Sequence, residues 1–314
     1  MALGTNNTTT TTAAVFIPEL WSDETIAAYK ANLVAANHFT KINHKGKKGD
    51  TIHIPTPSRG SASAKAAGTE VTLIAPTDTE KTISLNKHYE YSRFIEDIVG
   101  VQALASLRSF YTDDAGYALA KQVDTDLLAL FEGLQGGATT NGTYGSAVIG
   151  SDGATAYDNT ANTNTGNGAA LADAGIRKMT QTLDDVDVPV SERCIIIPPV
   201  EKKNLLGLSR FTEQAFTGEG GKSNNIRNGK VGDIYGMEVY VSTNCQTITA
   251  ADTSTNYRVG GVVHKSALAL AEQMAVRSQS QYKQEWLADL FTADCLYGVG
   301  ELRNDAGVAF VVPE

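Results

Sequence analysis

The 314-residue sequence predicts an α+β fold organised around one long amphipathic helix. Three observations carry that expectation. Along residues 97–134 apolar side chains recur at helical spacing, and between residues 50 and 93 they alternate as in half-buried strands. From Ala169 onward, helical and strand patterns take turns, as in a compact α/β unit.

The helical stripe consists of Leu104, Leu107, Tyr111, Ala115, Ala118, Val123, Leu127 and Phe131. Unbroken, at about 1.5 Å per residue, this spine would run roughly 57 Å. A stripe of that length needs several other elements, or neighbouring subunits, laid along it. Gly100 and Gly116 weaken its middle and allow a bend, and Gly136 and Gly137 mark its end.

Before the spine, residues 1–14 form a polar tract with five consecutive threonines, too poor in large apolar groups to fold alone. A short helix follows, capped by Ser22, with Asp23 and Glu24 in its first turn and Ile26, Tyr29, Leu33 and Val34 on one face, fading near His38. After the basic run KGKKGD comes a strand signal at Ile52 and Ile54, then the small-residue stretch SRGSASAKAAG. A second signal opens at Val71 and Leu73, and a third, KTISLNKHYEY, alternates Ile83, Leu85, Tyr89 and Tyr91 with polar residues. Together these read as a long β-hairpin whose tip lacks a core and gains order by lying on something else.

Beyond the spine, residues 136–168 are rich in Gly, Ala, Thr and Asn and read as an extended surface connection with at most one short hairpin around Tyr144 to Ile149. Leu171, Ile176, Met179 and Leu183 then mark a helix, RCIII from Arg193 a buried strand, and Pro199 the first residue of another helix. Residues 218–230 form a glycine-rich polar loop. Met237, Val239 and Val241 follow the turn at Gly236 on one strand face, and Arg258 to Val263 is a further strand. His264 to Ala271 reads as a short helical segment and Ala275 to Tyr282 as a polar strand. Tyr297 to Arg303 and Val308 to Val312 suit a closing hairpin around NDAG.

The formal net charge of −9 argues against affinity built on phosphate neutralisation. Cys194, Cys245 and Cys295 form no CxxC pair and no pattern with the five histidines, so they read as buried or indifferent thiols of a reducing compartment. No apolar run approaches membrane-spanning length, and the N-terminus lacks the basic and apolar regions of a signal peptide.

The chemistry-bearing motifs are incomplete. GGKS, from Gly220 to Ser223, resembles the end of a phosphate-binding loop, yet Phe216 stands where that loop needs glycine and polar NNIRNG follows where an apolar helix should open. Asp184, Asp185 and Asp187 resemble a calcium loop, but Pro189 replaces the required glycine and no glutamate closes it. Asp113 and Asp114 are neighbours on a helix and point in different directions. His53, His88 and His264 are scattered. No catalytic, cofactor-binding or metal-ligating residue is therefore assigned.

The order of parts resembles the major capsid proteins of tailed bacteriophages, which have the HK97-like fold. The matching stretches are FIPELWSDETIAAYKANLVAANHF, GDTIHIP before the loop, HYEYSRFIEDI leading into the spine, LAKQVDTDLLAL within it, and GKVGDIYGMEVYVSTN in the second half. The resemblance implies a shell-building protein with no active site, divided into an N-terminal arm with a short helix (1–48), an extended β-loop (49–91), a peripheral domain with the spine (92–135 and 264–314) and an axial domain (136–263). It implies an icosahedral shell around double-stranded DNA, assembled in the bacterial cytoplasm from hexamers and pentamers of this chain. The DNA would be touched by non-specific contact only, and no membrane is involved. Portal and decoration proteins are further partners, and a separate scaffolding protein is expected because no fused scaffolding segment precedes the arm. Some members cross-link through a loop lysine; Lys65 lies in the corresponding part of this loop, a weak basis on its own. Two alternatives remain. One is a nucleotide-dependent enzyme using Gly220 to Ser223, and the other a tail subunit, which would carry more strand and no single long helix.

Overall fold

The computed structural model describes residues 33–45, 48–58, 60–71, 73, 75, 78–97, 107–136, 139–140, 143–144, 147–208 and 233–314. A one-turn helix α1 (Ala35–His38) leads into β1 (Thr40–Asn43); β2 (Thr51–Thr56) and β3 (Thr79–Ser84) pair antiparallel as a hairpin, and β4 (Lys87–Glu96) follows. The single strand expected over KTISLNKHYEY is thus two strands in different sheets, parted at Leu85 and Asn86. Leu85 stays buried in the same cluster as Ile83, so the parity continues past the end of β3, and Tyr89 and Tyr91 resume it after Lys87. Val71 and Leu73 lie in no strand and are exposed.

The spine helix α2 (Leu107–Ala129) passes through Gly116 without interruption and tightens into a 3₁₀ segment, Leu130–Gly136. Extended Leu134 and left-handed Gln135 (φ 61°) end it beside Gly136. Residues 98–106 and 137–138, including Gly100 and Gly137, lie outside the described residues, as does the Ser22-capped helix before Leu33. The buried face of the spine is Ala115, Leu119, Asp124, Leu127, Leu128, Phe131 and Leu134, so Ala118 and Val123 sit at its margin. One buried position goes to a carboxylate because that group has a structural task, described below.

The α/β half contains β5 (Thr139–Thr140), β6 (Thr143–Tyr144), β7 (Val148–Ile149), α3 (Asp173–Asp185), β8 (Arg193–Ile197) and α4 (Pro199–Leu206). It continues with β9 (Glu238–Val241), β10 (Thr247–Thr249) and β11 (Asn256–His264). Ile176, Met179 and Leu183 of α3 are fully buried, as their spacing predicts, and Pro199 occupies the first turn of α4, where a missing N–H costs nothing. Two long strands, β12 (Leu268–Lys283) and β13 (Ala288–Glu301), precede β14 (Gly307–Pro313).

These strands form a four-stranded sheet, β1-β12-β13-β4, and a six-stranded sheet, β7-β14-β11-β8-β9, with β10 on β11. Residues 264–271, expected helical, are the end of β11, a turn and the start of β12. The apolar run from Leu268 to Ala271 is buried on both faces, and period alone does not separate such a strand from a helix. The expected closing hairpin is likewise absent: β13 pairs with β12 and β4, while β14 crosses to the other sheet and pairs with β11 and β7.

Residues 136–168 prove to be partly core. β7 adds in parallel to β14 through Val148 and Phe310, and Ala147 and Tyr157 are buried. The glycine content that suggests a loop is what lets this segment lie on α3. A Cβ on Gly175 would come within 2.1 Å of the Gly150 carbonyl oxygen. The main core joins both halves: Phe131 and Leu134 at the spine's end pack against Gly261 and Gly307 of the six-stranded sheet.

Candidate assembly surfaces

The β2–β3 hairpin is anchored at its base. Ile83 and Leu85 are buried against Ala269 and Ala271 of β12, flanked by Ile42, Ile52, Ile54 and Leu302. The close approach depends on two glycines of β13: a Cβ on Gly298 would lie 2.4 Å from the Ser84 carbonyl oxygen, and one on Gly300 2.8 Å from Ile83 Cγ1. The Leu85 N–H donates to the Asp50 carbonyl (2.7 Å), and the Gln273 amide donates to that of Gly49 (2.9 Å). Farther out, His53 meets Glu80 across the ladder at 3.1 Å, and the Ser58 N–H donates to Asp78 Oδ1 at 3.1 Å. Residues 60–71 are exposed, except that 59 and part of 72–77 lie outside the described residues, and Leu73 is 88% exposed. A two-stranded ribbon with such a tip is marginal by itself and is stabilised by a surface to lie on.

The second surface is the joint where the chain enters from the N-terminal side. Asp124 of the spine is fully buried; its Oδ1 accepts the N–H groups of Val34 (3.1 Å) and Ala35 (2.7 Å), and its Oδ2 accepts the Asn244 amide (2.9 Å). The orphan donors of α1 are thus satisfied by a distant carboxylate in place of a local cap, and Val34 (φ −120°, ψ −39°) stands outside the helix. Beside the joint opens a cleft of about 620 Å³ lined by His38, Glu192, Arg193, Glu238 and Lys265. Burial, reinforced by nearby His264, pushes the His38 imidazole below its ordinary value, while Glu238 opposes the shift. Burial also lowers His264, whose Nδ1 lies 2.8 Å from Ser266 Oγ. An apolar groove of about 270 Å³ runs between Leu119 and Val123 of the spine and Met274 and Val276 of β12, beyond the end of short β1, where among the described residues no further strand pairs with this edge of β12.

The third surface is the outer half of the four-stranded sheet. Arg277 holds Asp294 with two bonds (2.7 and 2.9 Å), and His88 lies 3.1 Å from the same carboxylate. The Arg277 guanidinium keeps that carboxyl below the usual range. Phe94, Val276, Tyr282, Trp286 and Leu287 are exposed along this half.

The residues that sequence reasoning weighed for chemistry are not brought together. His53, His88 and His264 stand in three separate places with the partners just named. Asp114 accepts the Tyr91 hydroxyl at 3.0 Å, and Asp184 pairs with Arg193 at 2.7 Å. Among the described residues, no group of three or more His, Cys, Asp or Glu is placed to hold a metal ion. Cys194, Cys245 and Cys295 are buried free thiols, and burial pushes Cys245 up to about 12. Gly220 to Ser223 and Phe216 lie outside the described residues. Among the described residues, no helix is long and apolar enough to cross a membrane. The Asp124 joint was missed; an Asp inside an apolar stripe was the available signal.

A family model described as phage capsid protein matches residues 96–305. The chain belongs to that family. The capsid protein matches no curated protein. Its fold resembles a solved structure from Mycobacterium phage Che8, with 23% identity and a TM-score of 0.72, covering 94% of this chain and 97% of that one. The capsid of Cyanophage P-SCSP1u gives 19% identity and a TM-score of 0.72 over 98% and 96% of the two chains. The head of Helicobacter pylori bacteriophage KHP40 gives 12% identity and 0.71 over 99% of each. The capsid protein therefore has the HK97-like fold and builds the shell, in a family that is structural and not an enzyme class.

Proposed function

We propose that this shell protein is the major capsid protein of a tailed phage, closing as hexamers and pentamers into an icosahedral shell around double-stranded DNA and performing no catalysis. The observation that carries this reading is the β2–β3 ribbon, anchored at its base by Gly298 and Gly300 and exposed at its tip, in a chain of the phage capsid family. In this reading residues 49–91 are the loop that lies on a neighbouring copy, and residues 92–135 with 264–306 are the peripheral domain around the spine. Residues 136–263 are the axial domain, joined by the last strand, Gly307–Pro313, whose pairing with β11 supports moving it there. A separate scaffolding protein and a portal take part in assembly in the host cytoplasm, and a decoration protein binds from outside. The acidic net charge of −9 suits a wall that must not adhere to packaged DNA, touching it non-specifically.

Expression of the chain with its scaffolding protein, followed by negative-stain microscopy, tests the reading. Closed shells uphold it; protein that stays monomeric at every concentration, with and without scaffold, overturns it.

A further inference from the structure

Helix α1 is a single turn, too short to be stable by itself. Within it the Asn37 N–H donates to the Val34 carbonyl (3.3 Å) and the Phe39 N–H to that of Ala35 (3.2 Å). From outside, Asp124 accepts the N–H groups of Val34 and Ala35. The joint therefore depends on how its side chains pack, and its last residue is a histidine. The His38 ring stands edge-on to Phe39, with centroids 5.3 Å apart, and is tilted against Tyr240 at 6.1 Å.

That position suits only the neutral imidazole. His38 Nε2 is fully buried and, among the described residues, has no hydrogen-bond partner. A neutral ring can leave one nitrogen as an unused acceptor, whereas an imidazolium is a donor at both. Charging His38 in place would bury a cationic N–H without an acceptor, a cost the ring escapes by leaving. The cleft of about 620 Å³ beside it offers a destination: Glu238 lies in its wall, with Oε2 accepting the Tyr240 hydroxyl and Oε1 free among the described residues.

The other charges around the ring are engaged or opposed. Glu192 pairs with Lys265 (2.8 Å), Arg193 with Asp184 (2.7 Å), and Asp124 holds α1 and Asn244; Asp233 completes the acidic side of the cleft. Burial, His264 and Lys265 disfavour the charged His38, while Glu238 and Glu192 favour it. His264 is set for its neutral form as well, since its Nδ1 accepts the Ser266 N–H (3.2 Å), a bond an imidazolium cannot make. Burial, Arg193 and Arg303 disfavour its charge, and Glu192 and the Ser191 carbonyl favour it.

We infer that His38 is a proton-operated latch on the N-terminal joint: acidification turns its ring out of the core into the cleft, unwinds α1 and releases Val34 and Ala35 from Asp124 while the rest of the chain stays folded. The latch lies within one chain and does not rest on the shell-building reading.

Hydrogen exchange read by mass spectrometry tests it on the full-length, unassembled chain between pH 7.5 and 5, each rate being divided by its intrinsic value at that pH. Protection of residues 34–39 is expected to fall at least about fivefold, the lower end of what an unsatisfied buried donor costs, while α3 and β14 keep theirs. In His38→Gln, which cannot take up the proton, the fall should vanish. In His264→Gln, which removes one opposing charge, it should persist but shrink. Wild-type protection that ignores pH, or a fall that His38→Gln leaves intact, overturns the latch. So does a fall shared by α3 and β14, which would be global unfolding. Should His38→Gln fail to fold, His264→Gln decides: a fall of full wild-type size overturns the proposal, and a smaller one upholds it.

Discussion

The carboxylate of Asp124, fully buried on the spine helix, accepts the backbone N–H of Ala35 at 2.7 Å. One side chain thus fixes where the N-terminal segment joins the spine, and through Asn244 it reaches the α/β half as well. Replacing it by alanine leaves two backbone donors and an amide buried without partners. Asp124→Ala is expected to lower the unfolding free energy by about 2–4 kcal/mol in a urea titration. Asp124→Asn, which keeps an acceptor for α1, should cost less, and a loss below about 0.5 kcal/mol for the alanine variant would contradict the role given to this joint.

The loop base makes a second prediction. Gly300→Val places a branched side chain where Ile83 already sits, since even a Cβ would lie 2.8 Å from Ile83 Cγ1. Overpacking of this kind costs about 1–3 kcal/mol, and the strain falls on the hairpin's attachment. Limited proteolysis within residues 57–78 should accelerate while the rest of the chain keeps its protection; unchanged cleavage would refute this account of the anchor.

The pH dependence follows from the cleft beside the joint. Burial lowers both His38 and His264 from the ordinary value of 6.5, so the unfolded chain binds protons more readily than the folded one just below that pH. Their contribution to stability is full above about pH 6.5 and is lost as pH falls toward the folded-state values. Buried Glu201 and half-buried Glu301 are raised, chiefly by burial, and act in the opposite sense, losing stability as pH rises past the ordinary carboxylate range. The melting temperature should therefore fall between pH 7 and 5 more steeply in the wild type than in a His38→Gln, His264→Gln double variant. Parallel curves for the two proteins would count against the assignment.

The thiols supply a simple check. Cys194, Cys245 and Cys295 are buried and their pKa values are raised chiefly by burial, so a thiol reagent at neutral pH should label the native protein only on unfolding. Prompt labelling of any of the three without denaturant would show the core misdescribed.

Much of this architecture is legible in the sequence where one period dominates. Helix α3 is marked by Ile176, Met179 and Leu183, β8 by its apolar run, and α4 by Pro199. Reading fails where two physical signals coincide. Leu268 to Ala271 is buried on both faces and looks equally helical, and Ile83, Leu85, Tyr89 and Tyr91 keep one parity across a change of sheet marked in the sequence only by Lys87. Residues 136–168 look like a loop because glycine serves both turns and close packing, as at Gly150 against Gly175. The assembly surfaces were legible as shortages, a loop tip without a core and a stripe too long to bury. Trp286 was not, since an aromatic residue at a strand end carries no mark in sequence of facing outward.

The most direct measurement is hydrogen exchange of residues 57–78 in the unassembled chain and in intact particles. The account predicts rapid exchange in the free chain and strong protection once neighbouring copies cover the loop. Equal protection in both states would mean that the loop completes itself within one chain, and would contradict the claim that assembly finishes the fold.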